Sequence, residues 1–162
     1  MRTPVTQAGW RIALIARGGK MYSYPKIVET LLEQFPEINE LYAEEIAWLK
    51  DTFQNQNSKG QTVYFDRCFC DYIGRLLMNK QQDTAKIEKT FAFLEEMATS
   101  EDSEVINLLQ VTVLEYLRSW YLFQSKSEKF MLPKTKKMFD YVKSYLQELL
   151  QDVPEYFLLP PH

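Results

Sequence analysis

The stretch Ser100–Tyr121, SEDSEVINLLQVTVLEYLRSWY, constrains the fold of this chain more than any other. It opens on hydroxyl and acidic residues that suit a helix start, then runs apolar on nearly every side. A helix of that kind is stable only when other helices cover it. Almost no reactive side chain falls in its middle. The stretch therefore calls for an all-helical domain around a buried rod, and it places no chemistry on that rod.

The rest of the chain supplies the covering helices. Ser23 and Pro25 suit the start of a first helix over about 25–34, with Ile27, Leu31 and Phe35 on one face. Pro36 opens a second, about 36–54, lined by Ile38, Tyr42, Ile46, Leu49 and Phe53. The polar run 54–62, containing Gly60, is the clearest loop. A third helix, about 63–79, turns Phe65, Phe69, Tyr72, Ile73, Leu76 and Leu77 inward. Gly74 lies inside it, where glycine costs about 1 kcal/mol against alanine, and so marks the close approach of a neighbour. Asp83 caps a fourth helix, about 84–98, with Ile87, Phe91, Leu94 and Ala98 in line. Thr99–Asp102 resembles a capping box ahead of the fifth, with Ser100 or Ser103 as the alternative cap. Lys126–Lys129 reads as a loop, and Pro133 opens a sixth helix, about 133–151, lined by Phe139, Val142, Leu146 and Leu149. Pro154, Pro160 and Pro161 forbid a long helix in the tail, whose Tyr156, Phe157, Leu158 and Leu159 are expected to pack on the body. Short loops between the third, fourth and fifth helices imply antiparallel neighbours. The expected fold is all-α, a six-helix antiparallel bundle or a short HEAT-like α-α solenoid. No internal repeat decides between them, and the apolar fifth helix favours the solenoid.

Composition excludes several function classes. The 162 residues suit one domain, and 46% hydrophobic against 25% charged residues is a globular balance. Five glycines argue against glycine-rich phosphate loops, and a net charge of −3 exerts no global pull toward nucleic acid. The single histidine is His162, at the very end, which speaks against a histidine general base, a Ser–His–Asp arrangement or a Cys/His zinc site. Cys68 and Cys70 fall on roughly opposite sides of a helix and read as small buried side chains. Carboxylates are the remaining catalytic candidates: Asp66, Asp71, Glu95, Glu96, Glu101, Asp102 and Glu104. The simpler reading gives Glu101, Asp102 and Glu104 to the positive end of the fifth helix. No cofactor or metal is expected. No apolar run reaches the ~18 residues of a membrane span, and nothing demands an oxidising compartment, so the expected location is cytoplasmic. Arg17-Gly18-Gly19-Lys20 can be encoded by a purine-rich run like a bacterial ribosome-binding site just ahead of Met21. Residues 1–22 are therefore read as a leader, non-native or disordered, and 23–162 as a single helical domain.

Charge is unevenly spread. In the first two helices Lys26 and Lys50 face seven carboxylates, a net of −5; over 126–143 six lysines face Glu128 and Asp140, a net of +4. Either can be a solvated face. The acidic one can also steer a basic partner. The lysines around the start of the sixth helix oppose its dipole and carry little aromatic interleaving beyond Phe130 and Phe139.

Three pieces carry a resemblance: LEQFPE at 32–37, YIGRLL at 72–77, and EEMA at 95–98 running into EVINLLQVTVLEYL at 104–117. On these the body, about 24–150, resembles a bacterial family of small helical proteins of unknown function. The last piece is also similar to helical immunity proteins of polymorphic toxin systems. The resemblance implies an all-α, HEAT-like fold and no catalytic residues. The resulting expectation is a non-enzymatic protein-binding domain, of immunity type, whose partner is another and basic protein. Its face would be Glu37, Glu40, Glu44 and Glu45, with Tyr42 or Trp48 as aromatic anchor. Two alternatives stand beside it. One is a small-ligand or enzymatic pocket between helices lined by Tyr72, Tyr116 and Trp120. The other is a weak nucleic-acid binder acting through Lys126–Lys143.

Overall fold

Eight helices make up the computed structural model, which describes residues 22–53 and 60–151, with side chains as far as residue 145. They are α1 (Ile27–Gln34, entered by a 3₁₀ turn at Tyr24–Lys26), α2 (Pro36–Leu41), α3 (Ala43–Phe53), α4 (61–78), α5 (Thr84–Ala98), α6 (103–118), α7 (Tyr121–Glu128) and α8 (Pro133–Gln151). The described residues contain no strand, so the all-α expectation holds. The leader, the run 54–59, Leu146, Leu149 and the tail aromatics lie outside what is described.

Sequence chemistry explains the starts. Pro25 opens the 3₁₀ turn and Pro36 opens α2, both where no intrahelical N–H is needed. Asp83 caps α5 by accepting the Lys86 amide, as expected. The cap of α6 is Asp102 rather than either serine. One carboxylate oxygen accepts the Glu104 amide at 3.0 Å, and the other reaches the Tyr24 amide at 2.8 Å. Ser100 instead accepts the Asp102 amide and donates to the Tyr22 carbonyl. Tyr22 is itself packed in the core against Phe93, so the packed body includes a residue assigned above to the leader. Glu95, on α5, caps α8. Its carboxylate accepts the Lys134 and Thr135 amides at 2.9 Å each and the Thr135 hydroxyl at 2.7 Å.

Four features depart from the expected six helices. The second breaks at Tyr42, where φ −121° and ψ 30° separate α2 from α3. The rod Ser103–Arg118 stops short of Tyr121, because Trp120 is extended and α7 begins afresh. There the Ser119 hydroxyl takes the Tyr116 carbonyl and the Gln124 amide takes that of Arg118, competing with helix propagation. Residues 126–128, expected in a loop, are the last turn of α7. Finally, α4 and α6 each contain a widened π segment, Phe65–Cys70 and Leu109–Leu114, and these two segments pack on each other.

The aromatic excess resolves mainly into the core. Phe35 of α1, Phe69 of α4 and Phe93 of α5 form a triangle with ring centres 5.4–5.9 Å apart, two of its sides edge-to-face. Each is at most 1% exposed. Such pairs add about 0.5–1.5 kcal/mol beyond burial. The α6 rod is buried through Val105, Leu108, Leu109, Val113, Leu114 and Leu117, but Glu104, Asn107, Val111 and Glu115 form an exposed strip. It is thus less fully covered than its composition implies. The close approach inferred at Gly74 is present: the α6 residue Tyr116 places its hydroxyl where a Cβ would go.

Candidate functional site

The face expected to bind a partner lies on α2 and α3, against α4. Four of its six residues are tied to α4. The Tyr72 hydroxyl donates to Glu37 Oε1. The Tyr42 hydroxyl donates to Asp71 Oδ2 at 2.6 Å, and Arg75 Nε reaches the same oxygen at 2.8 Å. Arg67 Nη1 meets Glu45 Oε1 at 2.7 Å and sets its guanidinium 5.0 Å from the centre of the Trp48 ring. Glu40 and Glu44 are exposed and have no partner among the described residues.

This bracing has chemical consequences. Burial, then the hydrogen bond to a carboxylate, pushes the Tyr42 and Tyr72 hydroxyls well above the usual tyrosine range. Both therefore stay neutral donors. Burial, then the charges of Glu45 and Asp71, pushes the Cys68 thiol up to about 11. It is no nucleophile at neutral pH. Cys70 is pushed up further, first by burial and then by Asp66 and Asp71, and donates weakly to the Thr112 carbonyl. Both cysteines are buried and free, as read from their spacing.

Tyr42, expected exposed, is half-buried and its hydroxyl is occupied. Trp48 remains, 49% exposed under Arg67. The residue that sequence reasoning missed is Leu41, 57% exposed beside Glu40 and Glu44. Its signal was available: Leu41 falls outside the inward line Ile38, Tyr42, Ile46, Leu49. The face thus consists of two unpaired carboxylates, an exposed leucine and a half-exposed tryptophan on a scaffold held to α4.

The other candidates are accounted for geometrically. Glu95 and Asp102 are helix caps, and Glu96 bonds the Tyr22 hydroxyl. Among the described residues no cluster of three His, Cys, Asp or Glu is placed to hold a metal. Tyr72 is buried, Tyr116 stacks on Phe123 at 5.1 Å, and Trp120 packs edge-on to Phe123 at 4.9 Å. None of the three lines the polar pocket of about 130 Å³ between Tyr24, Thr62 and the α6 residues Glu104 and Asn107. That volume is below the ~300 Å³ of usual ligand sites.

In the lysine stretch, Lys136 pairs with Asp140, and Lys143 with Glu128 and Asp140. Phe130 and Phe139, named above as its interleaved aromatics, turn inward. Tyr141 and Tyr145 are instead exposed and stacked, 6.2 Å apart.

The match to known families then places the molecule. The chain belongs to the family described as Domain of unknown function (DUF7674), matched over residues 28–152. The DUF7674 match thus takes in α2–α4 and all of the bracing just described. No curated protein and no solved structure matches the chain. No helix of this DUF7674 domain, among the described residues, is long and apolar enough to cross a membrane.

Proposed function

We propose that this is a non-enzymatic protein-binding domain whose outer α2–α3 face docks a basic surface on another protein molecule. The observation that carries the reading is the contrast within one acidic surface. Glu37 and Glu45 are consumed by bonds to Tyr72 and Arg67, while Glu40 and Glu44 are left unpaired beside exposed Leu41 and Trp48. Two exposed carboxylates four residues apart across the break at Tyr42 repel weakly through solvent, at a cost of at most a few tenths of a kcal/mol. A cationic partner reverses that cost, and a tryptophan already under a guanidinium supplies an aromatic anchor. The immunity-type form of this reading, capture of a basic bacterial toxin domain in the cytoplasm, draws its support from the resemblance noted in the sequence.

The test is affinity capture from the native host with the full chain and with the double variant Glu40→Lys, Glu44→Lys. Glu45 is left intact because reversing it breaks the Arg67 brace. A basic protein retained by the first and lost by the second, with unchanged melting of both, is the expected result. Equal recovery of every partner by both forms refutes the reading.

A further inference from the structure

We propose that the partner of the acidic face is a second copy of this chain, docked through the outer face of α8. The inference rests on the docking role proposed above and names the partner.

The complementary surface is present on the same molecule. On α8, Lys134 and Lys137 are exposed and their ammonium groups have no partner among the described residues; one to two turns later come exposed Tyr141 and Tyr145. On α2–α3, unpaired Glu40 and Glu44 are followed one to two turns later by exposed Trp48. Each face therefore reads as a charged turn and then an aromatic turn, with opposite charge. The order along the chain matches: about seven residues from the lysine pair to the tyrosines on one continuous helix, and about six from the glutamate pair to the tryptophan across the break at Tyr42. Laid side by side and parallel, the two faces bring lysines to glutamates and tyrosines to tryptophan.

One molecule does not join its own two faces. The helix α3 packs on α4 and α2 is tied to it through the Tyr72–Glu37 hydrogen bond, whereas α8 packs on α5 and α6. Satisfying both requires another copy, in a head-to-tail arrangement that leaves one face free at each end. The near balance of the whole chain, a net charge of −3, leaves little long-range repulsion against this. The α8 face is about 28 Å long and the acidic face is divided at Tyr42, so either falls short of the ~800 Å² per partner of a standard interface. The association is therefore weak and salt-sensitive.

Sedimentation of the full chain decides it. Two variants are compared with wild type, one with the acidic face reversed (Glu40→Lys, Glu44→Lys) and one with the basic face neutralised (Lys134→Gln, Lys137→Gln). All four positions are exposed, and melting of each variant checks folding. Wild type is expected to gain mass with concentration at low salt, with association falling about tenfold as salt rises to about 0.5 M. Each variant alone remains monomeric. Mixed one to one, they form a dimer and nothing larger, because each retains only one competent face. Trp48→Ala offers a second acid-face variant and weakens self-association about fivefold. A wild type that stays monomeric overturns the inference, as does a mixture no heavier than its components or a variant that still self-associates. If wild type is monomeric yet Glu40→Lys, Glu44→Lys still abolishes capture of a host protein, the second copy is excluded and the docking face stands.

Discussion

Replacing Gly74 by alanine tests the packing between α4 and α6 at one atom. In an open helix this change stabilises by about 1 kcal/mol. Here the added Cβ overlaps the Tyr116 hydroxyl oxygen and lies 3.3 Å from Phe123 Cζ. Keeping the tyrosine in place strains the contact, at about 1–3 kcal/mol. Swinging it away gives up the stack on Phe123, about 0.5–1.5 kcal/mol, together with part of its burial. Either route outweighs the propensity gain, so Gly74→Ala should destabilise by about 1 kcal/mol and lower the melting temperature by about 2–4 °C. The sharper result comes from Tyr116→Phe, which removes the offending oxygen and leaves the ring carbon at an ordinary 3.5 Å. The Tyr116 hydroxyl makes no hydrogen bond among the described residues, so that change alone is mild. In its background Gly74→Ala should be neutral or stabilising, a coupling of about 1–2 kcal/mol in urea denaturation of the four proteins. Equal effects of Gly74→Ala in both backgrounds, or a more stable single variant, refute the reasoning.

Three further outcomes follow from the same structure. Glu95→Ala removes three hydrogen bonds at the start of α8 and leaves Thr135 buried without its acceptor; chemical denaturation should show a loss of about 2–3 kcal/mol, with Glu95→Gln losing less. Phe93→Ala opens a cavity in the aromatic triangle and should cost about 3–5 kcal/mol, a large share of a typical domain's stability, read as a collapse of near-ultraviolet circular dichroism at moderate urea. Alkaline titration should weaken the fold. The Cys68 thiol rises on folding from 9.0 to about 11, so its neutral form is favoured; that stability is complete below pH 9 and is lost as pH climbs toward 11. Cys68→Ser should flatten this part of the melting-temperature profile, and an unchanged profile contradicts the assignment.

Much of the fold was legible because periodicity and punctuation agree. Ile27, Leu31 and Phe35 recur at helical spacing, Asp83 stands at a cap position, and Pro36 and Pro133 mark true starts. What was hidden has local causes. The break at Trp120 carries no glycine or proline; a serine hydroxyl and a distant glutamine amide make it. The π segments insert a single residue into rods buried on several sides, where Cys68, Phe69 and Cys70 are consecutively buried and period alone is uninformative. Along the candidate face, charge counting found the acidic helices but could not separate Glu37 and Glu45, held by Tyr72 and Arg67, from the unpaired Glu40 and Glu44. That distinction depends on residues 22 to 35 positions away in sequence.

The central claim is that the α2–α3 face is where this domain meets another protein. Site-specific photo-crosslinking in the native host addresses it directly, with the reactive group at position 44 and, as control, at exposed position 88 on α5. A discrete adduct from position 44, absent from position 88 and lost when Trp48→Ala is added, is the predicted result. The same adducts from both positions, or none from position 44 while position 88 reacts, contradicts the claim.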